Sequence, residues 1–295
     1  MTPTGGFDIT EPSDKSKPKP GLYLVATPIG NLRDMTFRAV DVLKQADVIA
    51  CEDTRVSRRL LDEYGITTRL IPYHDHNAAS VRPKLIRRLE EGEVVAVISD
   101  AGTPLVSDPG YKLVTAAHAA GVAVFPVPGA SAPLAALTVA GLPSDSFFFG
   151  GFLPSRATAR RKALAAHAAV PATLIYFEAP GRLAAALTDM AEMLGGRDAA
   201  IARELTKRFE EVVRGSLTEL ADRYRDGPAP KGEVVVVISP PSEPVADDGD
   251  LDRALAAALE DGSVKDAAAL VAEALGLPRR RVYARALALK RPPKP

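Results

Sequence analysis

The chain has 295 residues, 46% of them hydrophobic, and its 37 Lys+Arg against 37 Asp+Glu leave a formal net charge of zero. That length allows two domains with substantial cores, and the balanced charge selects no partner by itself. The single cysteine, Cys51, excludes an internal disulfide, and no apolar run approaches the roughly 20 residues that span a bilayer.

Residues 1–20 are polar, rich in Pro and Lys, and lack the apolar core of a signal peptide. They read as a disordered leader, and the chain as a soluble, cytoplasmic protein. Strand and helix patterns then alternate. Strands are expected at Leu22–Ala26, Val48–Cys51, Leu70–Pro72, Val94–Ile98 and Val122–Pro126. Helices are expected at Thr36–Gln45, Val56–Tyr64, Ala78–Glu91 and Tyr111–Ala119. This alternation predicts an N-terminal α/β domain over 21–127, a parallel sheet wrapped by helices. Pro126-Val127-Pro128-Gly129 stiffens the chain and marks a boundary.

A second α/β domain is expected over 128–240. Its strands read as Phe147–Phe149, Thr173–Phe177, Ala200–Arg203, Phe209–Gly215 and Val234–Ile238, with helices at Ala130–Ala140, Ala157–Ala168 and Leu183–Leu194. The strands near 201 and 212 follow each other closely, which predicts an antiparallel pair inside a mixed sheet. Residues 241–250 are a Pro- and acid-rich linker. Residues 251–290 form a small helical domain, with helices at Leu251–Glu260, Val264–Leu275 and Arg279–Leu289; the last two are joined at Gly276-Leu277-Pro278, like a small helix-turn-helix. Charge separates sharply here. Nine acids lie between Glu243 and Glu273, whereas from Gly276 onward the only charged residues are Arg279, Arg280, Arg281, Arg285, Lys290, Arg291 and Lys294. Such a basic tail is compatible with nucleic-acid contact.

The loops that follow the strands carry the chemistry. Asp100–Gly110 succeeds the apolar run Val94–Ile98 and offers carboxylates, glycines and backbone N–H groups, but no lysine for a phosphate. A loop at the carboxyl end of a buried parallel strand is where open α/β sheets hold ligands. A small polar or cationic cofactor suits it. Thr27–Asp34 lacks both GxGxxG and GxxxxGK[ST], and Asp34 or Thr36 could simply cap the next helix. In Cys51-Glu52-Asp53-Thr54-Arg55, either Asp53 or Thr54 could be a helix cap. Val127–Ala132 is built of small residues that let a ligand lie against backbone. His74 and His76 have a His-x-His spacing, but with one cysteine and only His118 and His167 elsewhere no metal site is expected. No Gly-x-Ser-x-Gly elbow is present.

Six motifs occur in order: Leu24–Leu32, Cys51–Arg55, Ser99–Gly110, Pro128–Ala132, Phe177-Glu178-Ala179-Pro180 and Arg203–Lys207. Over about residues 21–240 the chain resembles the tetrapyrrole methylase superfamily of S-adenosyl-L-methionine-dependent methyltransferases. Within it, the similarity is to the ribosomal branch, the small-subunit ribosomal RNA methyltransferase I family of cytidine 2′-O-methyltransferases. Porphyrin- and corrin-methylating relatives carry Gly-x-Gly-Pro-Gly in the first loop and Gly-Asp-Pro in the third. Here Thr27-Pro28-Ile29-Gly30-Asn31 and Asp100-Ala101-Gly102-Thr103-Pro104 stand instead, which favours the RNA branch. The alternatives are methylation of a small tetrapyrrole and a non-catalytic RNA-binding factor.

The resemblance implies two α/β domains, usually in a homodimer, with the cofactor S-adenosyl-L-methionine in the cleft between them. The residues implied as cofactor contacts are Pro28, Asp100, Ala101, Gly102, Asp108, Gly129, Ala130, Ser131, Phe177, Leu205 and the Gly232-Glu233-Val234 backbone. The implied partner is 16S ribosomal RNA or the small ribosomal subunit, at a decoding-region cytidine, with no part for DNA or membrane. Transfer to a ribose hydroxyl needs in-line geometry, and a base could assist. Candidate bases are Glu178 and Asp53, with His74 or His76 acting through a water. Arg33, Arg55, Arg58, Arg160 and Lys207, together with Arg59, Arg156 and Arg161, are the candidate phosphate contacts.

Overall fold

A computed structural model describes residues 17–107, 110–241, 248–275, 277 and 279–290. The expectations for 1–16, Asp108, 242–247, Gly276, Pro278, Arg291 and Lys294 fall outside the described residues. The first sheet comprises β1 (Gly21–Val25), β2 (Val48–Cys51), β3 (Leu70–Pro72), β4 (Val94–Ile98) and β5 (Val124–Val127). Its order is β3-β2-β4-β1-β5 and every pairing is parallel. Alternation on β4 explains the two-faced burial. Val94, Ala96 and Ile98 pack with α1 (Phe37–Gln45) and α2 (Thr54–Glu63), while Val95 and Val97 pack with α3 (Ala78–Glu90) and α4 (Tyr111–Ala119).

Local chemistry starts these helices. The Thr36 side chain accepts from the Ala39 N–H at the start of α1, and Asp53 accepts from the Arg55 N–H at the start of α2. Thr36 and Asp53 are therefore the caps that the sequence left undecided.

The second sheet comprises β6 (Phe147–Phe152), β7 (Thr173–Glu178), β8 (Asp198–Arg203), β9 (Glu211–Ser216) and β10 (Val234–Ile238), ordered β6-β7-β10-β8-β9. β6 and β7 are parallel and the other pairings antiparallel, so the sheet is mixed. α5 (Ala132–Ala140) covers one face. α6 (Ala157–His167), α7 (Leu183–Leu194) and α8 (Leu217–Arg225) cover the other. α5 begins later than its composition suggests, because Ser131 is extended (φ −147°) and Pro133 fits the first turn. α8 is absent from the expected elements, although its start is legible. Ser216 and Glu219 form a reciprocal capping box ahead of Leu217, Leu220 and Ala221.

The chain divides into two compact units, residues 1–241 and 242–295. The second unit contains α9 (Asp248–Asp261), α10 (Val264–Ala274) and α11 (Arg279–Lys290) around Leu251, Leu255, Ala268, Val271, Val282 and Ala286. Among the described residues, no helix is long and apolar enough to cross a membrane.

Arg160 is a correction to the expected phosphate contacts. Its side chain is only 5% exposed and forms a 2.5 Å ion pair with Asp189, which is itself 3% exposed. Arg161 takes the other carboxylate oxygen at 2.7 Å. A guanidinium held this way joins α6 to α7 and does not reach a polyanion outside. Arg160→Ala leaves the buried Asp189 carboxylate with the half-exposed Arg161 as its remaining partner, so it should cost at most about 3 kcal/mol in a urea titration. The salt dependence of RNA binding should not change.

Candidate active site

The loops after β1 and β4 emerge side by side, because those strands are neighbours. They leave for opposite faces of the sheet, β1 into α1 and β4 into α4, and such a divergence opens a crevice at the carboxyl ends of the strands. Thr27 and Gly102 then stitch the two loops together. The Thr27 N–H donates to the Gly102 carbonyl at 2.9 Å, and the Gly102 N–H donates back at 3.0 Å. The buried Thr27 hydroxyl donates to the Ser99 carbonyl at 3.2 Å.

From the other side, the Asn31 N–H donates to Thr206 Oγ1 at 3.0 Å. Gly30 lies so close under Lys207 that a Cβ there would be 2.5 Å from its Cγ. Ile29 is buried in the core beneath α5. The loop after β1 thus joins the two sheets and floors the space between them.

That space is a cavity of about 420 Å³. Ile29, Asp100–Thr103, Val106, Ser107, Ser131–Pro133, Phe152, Phe177–Pro180 and Gly232–Val235 line it. Its size is that of a small-molecule site. The charged residues in the lining are Asp100, Glu178 and Glu233; no Lys or Arg is among them. Gly102 has φ +80°, and a Cβ there would stand 3.3 Å from Ile29. Among the described residues, the non-glycine positions with positive φ are Leu105, Ser107, Glu204 and Thr206. All four lie in loops that build this cleft. Such conformations are costly and persist where surrounding structure over-determines them.

Asp100 also lines two neighbouring cavities. One, about 490 Å³ and more open, is bordered by Glu52, Asp53, Thr54, Pro72, His74 and His76. The other, about 240 Å³, is bordered by Pro28, Ile29, Gly30, Leu32, Val56, Arg59, Leu60 and Ala101. Asp100 is exposed and accepts from the Asp53 N–H at 3.1 Å.

The expected contact residues separate by position. Asp100, Ala101, Gly102, Ser131, Phe177 and Glu233 line the main cavity. Pro28 lines the third cavity. Gly129 and Ala130 stand behind the lining, where the Ala130 carbonyl accepts from Thr103 Oγ1 and a Cβ at Gly129 would be 2.9 Å from the Ala26 Cβ. Leu205 is packed into the core with Ile29. Phe152 and Pro133 are lining residues outside the loops that the sequence reading named, whereas Val106 and Ser107 fall within its Asp100–Gly110 loop. The glycine pair before Phe152 was the available signal.

The two expected bases have structural partners. The Glu178 carboxylate is fully buried, pairs with Arg182 at 3.0 Å and accepts from the Ala179 N–H at 2.8 Å. It anchors the turn after β7, which corrects its reading as a base. Asp53 caps α2 and pairs with Arg55 at 2.8 Å; the Arg55 guanidinium holds its carboxyl down at about 2. The Arg55 guanidinium itself remains largely exposed. Lys207 lies between Glu204 at 3.0 Å and Glu233 at 3.2 Å. Arg33, Arg58 and Arg59 are exposed, with no ion pair among the described residues.

Because its folded value is depressed, Asp53 supports α2 fully above the ordinary carboxylate pKa of about 4, and that support is lost as pH falls through about 2. Asp53→Asn should therefore leave the pH profile of kcat in place between about pH 6 and 9. An acid limb that disappears in this variant would show Asp53 to be the titrating base.

Residues 21–221 match the family model Tetrapyrrole (Corrin/Porphyrin) Methylases, and residues 245–290 match the RsmI C-terminal HTH domain. A relative from Mesorhizobium japonicum named Ribosomal RNA small subunit methyltransferase I is 55% identical, over 92% of this chain and 93% of its own length. A relative of the same name from Escherichia coli O157:H7 is 44% identical over 90% and 94%. The fold is similar to that of uroporphyrin-III C-methyltransferase from Thermus thermophilus, solved in complex with S-adenosyl homocysteine. That match has a TM-score of 0.52 at 22% identity and covers 74% of this chain and 96% of the other. The chain belongs to the tetrapyrrole methylase family and, within it, to the ribosomal RNA small subunit methyltransferase I family.

Proposed function

We propose that this protein transfers the methyl group of S-adenosyl-L-methionine to the 2′-hydroxyl of a decoding-region cytidine in 16S ribosomal RNA, acting in the cytoplasm as a homodimer on the RNA or the small subunit. The observation that carries the proposal is the similarity, over about nine-tenths of the chain, to relatives named for small-subunit ribosomal RNA methylation.

The cleft residues suit the cofactor. Of the acids that line the cavity, Glu178 and Glu233 are paired with Arg182 and Lys207, and Asp100 is the carboxylate left to face a sulfonium or an ammonium; no Lys or Arg in the lining is placed to take a phosphate. Gly102 lines the cavity with bare backbone. Asp100, with one oxygen engaged by a single N–H, has acceptor capacity left for hydroxyls or an ammonium. Ile29, Val106, Pro133 and Phe177 supply apolar wall for a purine. S-adenosyl-L-methionine supplies an electrophilic methyl, already activated by its sulfonium.

The chain's own task is orientation. With the cofactor held by Asp100, Gly102 and Phe177, these loops would keep the acceptor hydroxyl in line with the methyl it receives, and the proton displaced from that hydroxyl would pass to water. Asp53 is a weak base at its depressed pKa and Glu178 is committed to Arg182. Positioning by the linked loops therefore carries the rate, with proton release to water. Arg33, Arg58 and Arg59 hold the backbone phosphates. In the second unit, Arg279 and Arg280 on α11 are exposed and make no ion pair among the described residues, so that unit brings phosphate-binding cations of its own.

The decisive experiment combines the purified protein, tritiated cofactor and small subunits lacking native methylation, followed by digestion to nucleosides. Label in 2′-O-methylcytidine is expected; label only in a base or in a tetrapyrrole acceptor would overturn the proposal. Asp100→Asn should raise the cofactor Kd about 10- to 100-fold by calorimetry, since it removes a charge-assisted hydrogen bond without disturbing a core. Arg58→Ala with Arg59→Ala should leave that Kd unchanged. The double variant should also flatten the log–log salt slope of RNA binding by about 1 for each phosphate that is no longer neutralised.

A further inference from the structure

Phe152 presents its ring to solvent at the mouth of the cleft, 58% exposed, although it ends a strand. The backbone is built to put it there. β6 runs in register with β7 through Phe149↔Ile175, and then Phe152 pairs with Phe177. Three steps along β6 thus match two along β7, so one extra residue is inserted. Side chains alternate faces, and a single inserted residue moves every later side chain to the opposite face. Without it Phe152 would follow Phe148 and Gly150 on the face that packs under α6–α8. With it, Phe152 joins Phe149 and Phe177 on the cleft face.

Both glycines of the bulge are required. A Cβ at Gly150 would lie 2.4 Å from the ring of buried Tyr176. Gly151 has φ +62°, and a Cβ there would meet Ser107 Oγ at 3.3 Å. The result is a row of rings, Phe149–Phe177–Phe152, with centroids 5.0 and 5.3 Å apart. The row begins in the core, and its last member lines the mouth of the cavity.

We propose that Phe152 is the stacking platform for the acceptor nucleobase, drawn out of the RNA stack so that its ribose can enter the cleft. The assignment rests on the RNA methylation reading and adds the residue that recognises the base. No Lys or Arg lines the cavity, so the nucleotide entering it is not gripped there by phosphate. An open aromatic face is what single-stranded RNA recognition uses in that situation. The adenine of the cofactor presents the same stacking chemistry, but the partly buried Phe177 offers it a wall within the cleft, whereas the Phe152 ring stands exposed to solvent.

The test compares the full-length parent with Phe152→Ala and Phe152→Trp. For Phe152→Ala, the KM for undermethylated small subunits should rise about 10-fold or more, the magnitude of removing one base–aromatic stack. The cofactor Kd should change less than about twofold, the range of surface substitutions, and Phe152→Trp should restore KM. A second readout uses a single-stranded RNA oligonucleotide carrying 2-aminopurine, with S-adenosyl homocysteine present. The parent should quench its fluorescence, and Phe152→Ala should not.

A parallel rise in cofactor Kd would assign the ring to the cofactor's adenine and overturn the proposal. So would equal quenching by parent and variant, or a changed oligomeric state in Phe152→Ala, which would make the ring a contact with a second copy of the chain. If the parent quenches in a Phe152-dependent way yet labels no ribosomal RNA, the platform stands and the methylation reading falls.

Discussion

The reciprocal Thr27–Gly102 backbone bridge is the constraint on which the site depends. It ties the loops of two adjacent parallel strands at the point where their connections diverge. Those loops are consequently a rigid floor rather than two independent turns. The Thr27 hydroxyl, turned inward onto the Ser99 carbonyl, removes the remaining freedom. Ile29 then buries itself under α5, and Thr206 caps the Asn31 N–H, so the second sheet is held to the first through the same segment. A cleft between two sheets keeps its shape only if something crosses it. Here the crossing element is the short loop after β1, held mostly through its backbone.

Electrostatics divide the surface around that floor. The charged residues that line the cleft are acids, of which Asp100 alone has no cation paired with it among the described residues, and the exposed cations Arg33, Arg58 and Arg59 belong to the loop after β1 and to α2. Several other cations that composition offers to a polyanion have ion-pair partners within the chain. Arg55 is held by the helix cap Asp53, Lys207 by Glu204 and Glu233, and Arg160 by Asp189. Each of these pairs positions a loop or a helix. The division matches the two chemistries the site has to combine: a cationic donor in an enclosed space and a polyanionic acceptor outside it.

The strands were legible in the sequence to within a few residues because their signals are local. Val94–Ile98 and Val234–Ile238 are unbroken apolar runs that only a strand buried on both faces explains. The loop at Asp100–Gly102 was legible as a cavity wall because glycines and a carboxylate follow such a strand directly. Glu178 and Arg160 were misread for one shared reason. Their partners, Arg182 and Asp189, lie on α-helical or turn segments whose facing direction depends on packing, and a charge's availability cannot be known until its partner is placed.

The sequence by itself determined the fold class, the order of the strands and the family, since all of these follow from periodicity, punctuation and residue identity along the chain. The tertiary structure alone decided which charges remain available, that Asp100 borders three cavities at once, and that Phe152 faces the cleft. The physical reason is the same for each. Desolvation, ion pairing and strand register depend on residues distant in the chain, and a one-residue bulge on β6 reverses a side chain's face without leaving more than two adjacent glycines as its trace.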